Sequence, residues 1–71
     1  MRRQRISSSA LSSVGYDEDS STLELEFKSG SVYDYQGVPP DVYRELLEAD
    51  SKGRFVSSNI KGRYPAIRVD E

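Results

Sequence analysis

Four cations and a tyrosine fall within the stretch SKGRFVSSNIKGRY, residues 51–64: Lys52, Arg54, Lys61, Arg63 and Tyr64. Cations neutralise phosphate, hydroxyl and amide groups hydrogen-bond to sugar and phosphate, and a tyrosine offers a face on which an unpaired base can stack. The chemistry this spacing points to is therefore contact with RNA, chiefly through phosphate. Lys52 also stands near the start of an expected helix, where free backbone N–H groups favour anions. Tyr16 is a second candidate stacking surface. Against this reading, Phe55, Val56 and Ile60 suit a core, and Arg63 has Glu45 and Glu48 as alternative partners. Arg2-Arg3-Gln4-Arg5 would extend the basic surface as a flexible arm, or else simply fray into solvent.

Other chemistries are poorly supplied. The chain has no His, no Cys and no Trp, so it offers no imidazole base, no thiolate and no imidazole or thiolate metal ligand. Its serines lack an imidazole partner and no nucleophile-elbow motif occurs. Glu24 and Glu26 on a strand, and the run Asp17-Glu18-Asp19 on a loop, could hold a hard cation weakly, yet their spacing matches no calcium loop and a solvated surface accounts for them. A hydrolase using two carboxylates would need a concave site that so small a domain hardly builds. The expectation is a non-catalytic chain with no cofactor and no metal.

At 71 residues, 35% hydrophobic and 31% charged, the chain makes one domain, 1–71, with residues 1–5 expected to be flexible. Its net charge of −2 conceals a division along the sequence. Residues 1–15 carry three Arg and no acid, residues 16–50 ten acids against Lys28 and Arg44, and residues 51–69 five bases and no acid. A basic surface can thus exist on a slightly acidic molecule, although the basic ends could equally neutralise the acidic middle. No apolar run approaches the ~20 residues that cross a bilayer. The N-terminal arginines resemble a signal-peptide basic region, but five serines interrupt Ile6 to Val14, so no apolar core follows. A cytoplasmic monomer with no membrane contact is expected.

The elements that must position these side chains follow from hydrophobic period. Val14 and Tyr16 alternate in an extended segment from Ala10 to Asp17. Thr22 to Lys28 alternates strictly, with Leu23, Leu25 and Phe27 on one face. Gly30 closes a hairpin into SVYDYQ. A two-residue turn would put Tyr33 and Tyr35 opposite the leucines, as an exposed stacking platform. A three-residue turn with Gly30 left-handed would pair Leu25 with Tyr33 and Leu23 with Tyr35, burying both tyrosines and leaving Asp34 in water; this register is favoured. Pro39 and Pro40 start a helix over Asp41 to Ala49, with Val42, Tyr43, Leu46 and Leu47 at helical spacing. Ser51 caps a second helix through Ile60, and Tyr64 to Val69 reads as an edge strand because Pro65 cannot donate a ladder hydrogen bond. The expected fold is α+β: a three-stranded antiparallel meander packed by two short helices, with a possible C-terminal edge strand.

Taken together, Val-Gly-Tyr-Asp at 14–17, Tyr33-Asp34-Tyr35, Val-Pro at 38–39, Ser-Lys-Gly at 51–53 and Asn-Ile-Lys-Gly-Arg-Tyr at 59–64 make residues 5–68 resemble the KTSC domain family. Members occur at the C-terminus of some lysyl-tRNA synthetases and as stand-alone small proteins. The resemblance implies a role beside tRNA, and through that attachment an RNA-binding accessory module. The competing expectation is a protein–protein interaction module that uses a sheet edge or the acid-rich helix at 41–50.

Overall fold

The structure is a computed structural model that describes residues 3–69. Five strands, β1 (Gln4–Arg5), β2 (Leu11–Asp17), β3 (Thr22–Phe27), β4 (Val32–Tyr35) and β5 (Ala66–Arg68), form one antiparallel sheet in chain order. Helices α1 (Pro40–Glu48) and α2 (Lys52–Asn59) pack on one of its faces.

The sheet is larger than the expected three-stranded meander. Gln4 and Arg5, expected within a flexible arm, lie opposite Val14 and Ser13 as an edge strand. Backbone pairing needs no apolar side chain, so a basic dipeptide can complete the sheet without leaving a hydrophobic pattern. Arg2, the first cation of that arm, lies outside the described residues. At the other edge β5 is shorter than the segment from Tyr64 to Val69, and Pro65 contributes only its carbonyl, which accepts from the Gln36 N–H at 2.9 Å.

The β3–β4 hairpin has the three-residue register: Leu25 sits opposite Tyr33 and Leu23 opposite Tyr35. Gly30 makes this possible at φ +100, where a side chain would be strained. On β2 a register shift between Leu11 and Ser13 marks a bulge. Leu11 and Val14, three residues apart, would otherwise face opposite sides of the sheet; the extra residue brings both into the core.

That core joins Val14, Leu23, Leu25 and Tyr35 of the sheet to Leu46 of α1 and to Val56 and Ile60 at α2. Ser51 caps α2 by accepting from the Arg54 N–H at 3.3 Å. The Tyr16 ring stacks on Tyr43 of α1, with centroids 4.9 Å apart and planes 12° apart, and its hydroxyl donates to the Val38 carbonyl. Tyr16 is therefore a tie between sheet and helix and not a free stacking face.

The opposite sheet face carries charge. Glu24 accepts from Arg3 at 2.9 Å and Glu26 from the Ser13 hydroxyl at 2.8 Å. Both carboxylates are half-buried, in contrast to the solvated surface expected for them. Asp34 is not in water either. It lies between Glu24 and Ile67 in the sheet, with one carboxyl oxygen buried and unpartnered. Burial first, and then the adjacent Glu24 carboxylate, raise its pKa to about 6 against the opposing pull of Arg3.

Candidate nucleic-acid interface

The end of α2 shapes the site. Ile60 is fully buried and anchors the last turn, whose carbonyl accepts from both the Arg63 and Tyr64 N–H groups at 3.1 and 3.3 Å. The Lys61 N–H closes back on Val56 at 2.8 Å, and the chain reverses at Gly62, φ +79. Tyr64 is thereby turned back toward the sheet just before Pro65 leads into β5.

Between this turn and the β3–β4 hairpin lies a groove of about 510 Å³. Phe27, Tyr33 and Tyr35 form its sheet side, and Lys61, Gly62 and Tyr64 its turn side. Ser29 and Ser31, flanking Gly30 in the hairpin, add hydroxyl groups at the rim. The rings of Phe27 and Tyr33 meet edge to face at 6.0 Å, while Tyr33 and Tyr35 are tilted at 6.4 Å. The Lys61 ammonium stands 5.2 Å from the Phe27 centroid. Burial, with a smaller contribution from Tyr33, pushes the Tyr35 phenol above its ordinary pKa, so it stays a neutral hydroxyl at physiological pH. Among the described residues no carboxylate lines the groove.

Of the five cation and aromatic candidates, Lys61 and Tyr64 enter this groove. Arg63 is exposed on the same turn and makes no ion pair with Glu45 or Glu48 among the described residues. Lys52 is elsewhere: half-buried, it donates to the Ala49 carbonyl at 3.1 Å and satisfies the end of α1. Arg54 is exposed beside a separate depression that includes Asp50, Phe55 and Asn59. The basic segment therefore does not form one continuous site.

Phe27, Tyr33, Ser29 and Ser31 are site residues that sequence reasoning assigned to core or turn. Tyr33 does lie on the core face, yet it is only half-buried, whereas Tyr35 is 4% exposed. The available signal was length: an eight-residue helix spans about 12 Å and leaves part of a long hairpin's face uncovered.

Residues 7–64 match the KTSC domain. The chain belongs to the KTSC family. A KTSC domain protein from Yersinia pestis, known from its crystal structure, superposes with a TM-score of 0.94 at 39% identity over 97% of each chain. An uncharacterized protein from Stutzerimonas stutzeri is 47% identical over 71 residues, 99% of this chain and 100% of that protein. A lysine–tRNA ligase from Nostoc punctiforme is 43% identical over 56 residues, 79% of this chain and 10% of the ligase. The KTSC domain thus occurs both as almost an entire chain and as a small part of a tRNA ligase. Among the described residues no helix is long and apolar enough to cross a membrane.

Proposed function

We propose that this KTSC domain is a non-catalytic RNA-binding module that contacts RNA through the aromatic groove and the cationic turn at its mouth. The observation that carries the reading is the convergence of Lys61 and Tyr64 with Phe27 and Tyr33 on one groove. Arg63 beside it adds a second exposed cation for a neighbouring phosphate. The similarity to part of a lysine–tRNA ligase supports a tRNA-like RNA as the partner. The lack of His and Cys in the chain, and of any carboxylate in the groove among the described residues, supports binding over catalysis.

Titration with tRNA and with an unrelated RNA at two salt concentrations tests the proposal. With two to three phosphate contacts, affinity for single strands should fall roughly tenfold between about 50 and about 200 mM salt. Absence of binding at the lower salt would end this reading.

A second reading, a protein-interaction module, is favoured by the β5 edge, where Ile67 and Val69 are 51% and 44% exposed. Recovery of one protein at stoichiometric yield, insensitive to ribonuclease and lost in Ile67→Lys, would favour it over RNA.

A further inference from the structure

We infer that the groove between the β3–β4 hairpin and the turn after α2 receives a single unstacked nucleotide, its base against Tyr33 and Tyr64 and its phosphate at the Lys61 ammonium. This deepens the RNA reading and rests on it only for the source of the nucleotide; the chemistry is the same for a free mononucleotide.

Three features select that ligand class. The first is size. About 510 Å³ lies within the range of sites for one compact small molecule and is too little for a folded partner. The second is the lining. Half-buried Phe27, Tyr33 and Tyr64 retain accessible ring surface, and every base has a π-face that such rings can hold without regard to sequence.

The third feature is charge. An aromatic groove is also the usual receptacle for a quaternary ammonium, but here the cation is already supplied by the chain. Lys61 stands over Phe27, and among the described residues no carboxylate lies in the lining to attract a second positive charge. A groove that carries its own ammonium suits a ligand that is planar at one end and anionic at the other. The Ser29 and Ser31 hydroxyls at the rim can each donate and accept, which serves a base edge or a ribose hydroxyl.

The test uses the full chain, labelled with ¹⁵N, and four probes: AMP, ribose 5-phosphate, inorganic phosphate and a short oligouridylate. The chain has five tyrosines and no tryptophan, so tyrosine fluorescence gives a second readout. AMP should move the amide resonances of Lys61, Gly62 and Tyr64 and quench tyrosine emission, whereas ribose 5-phosphate and phosphate at equal concentration should do neither. Tyr64→Ala should weaken AMP and oligouridylate by about fivefold or more. Lys61→Gln, an exposed change that leaves the aromatic lining in place, should weaken both as well, so the result does not rest on the folding of one variant. Equal responses to AMP and ribose 5-phosphate would overturn the nucleotide pocket. So would oligouridylate binding that neither substitution affects, and that outcome would leave the RNA reading standing. AMP binding without oligouridylate binding would support the pocket with a free nucleotide as its ligand and would remove single-stranded RNA as the source of that nucleotide. Failure of every probe would end the nucleotide pocket and leave the RNA reading to the tRNA titration.

Discussion

The Lys61 ammonium lies 5.2 Å from the centroid of the Phe27 ring, so the turn that follows α2 is fastened to the central strand of the sheet. One contact thereby spans the groove and supplies its charge.

Lys61→Gln should lower stability by about 0.5–1 kcal/mol, the scale of a cation–π contact at an exposed site. Lys61→Arg should retain most of it, since a guanidinium stacks on an aromatic face as well. Urea denaturation of the two variants checks this. Equal losses in both would mean that the lysine acts through something other than its charge over the ring.

Gly53 on α2 packs directly against Ala10. A Cβ at position 53 would stand 2.7 Å from the Ala10 Cβ, closer than packed carbon atoms approach. In an open helix Gly→Ala gains up to about 1 kcal/mol, but here overpacking, commonly about 1–3 kcal/mol, opposes it. Gly53→Ala should therefore destabilise by about 1 kcal/mol net, and Ala10→Gly in the same chain should recover part of that loss. A stabilised Gly53→Ala single variant would contradict the packing.

Stability should fall as pH rises from about 4 to about 6. The Asp34 carboxyl titrates near 6 in the folded chain, against 3.8 ordinarily, because burial and then Glu24 disfavour its charge. Between those values the folded state holds a proton that the unfolded state has released, so folding is favoured at the lower pH and the advantage is gone above about 6. Asp34→Asn should flatten this slope and stabilise the chain at pH 7 by about 1 kcal/mol, well below the full shift because the group is only partly buried. Thermal unfolding across the range reads both effects. A slope that Asp34→Asn leaves unchanged would assign the titration to another group.

Tyr16→Phe should cost about 1 kcal/mol, the hydrogen bond to the Val38 carbonyl, while the stack on Tyr43 persists. It should leave RNA affinity unchanged, because Tyr16 is no part of the groove lining. Reduced RNA affinity in a variant that remains folded would restore Tyr16 as a stacking surface.

Much of the fold is legible in side-chain period. Leu23, Leu25 and Phe27 alternate over a half-buried strand, and the choice at Gly30 between setting two tyrosines and setting Asp34 on the apolar face selects the observed register, although Asp34 is partly buried on the other face as well. Strand β1 is not legible, because Gln4 and Arg5 pair through backbone groups that any side chain would permit. The bulge on β2 is hidden for a related reason: Ser12 bears no sign that the chain gains a residue there. The site was half visible. Lys61 and Tyr64 belong to a recognisable basic stretch, but whether Lys52 and Arg54 join them depends on where a chain reversal at Gly62 aims the turn. Tyr33 can serve core and groove together only because the helices stop short of it. The first condition is not written in local sequence, and the second shows only in the shortness of α2.

The most direct test is to map RNA on the ¹⁵N-labelled chain by chemical-shift perturbation at low salt. Changes should concentrate at Ser29, Ser31, Lys61, Gly62, Arg63 and Tyr64, with little movement at Arg54 or on the opposite sheet face at Glu24 and Asp34. Perturbations centred on Arg54 or on the Glu24–Asp34 face, or none in the presence of excess RNA, would contradict the account.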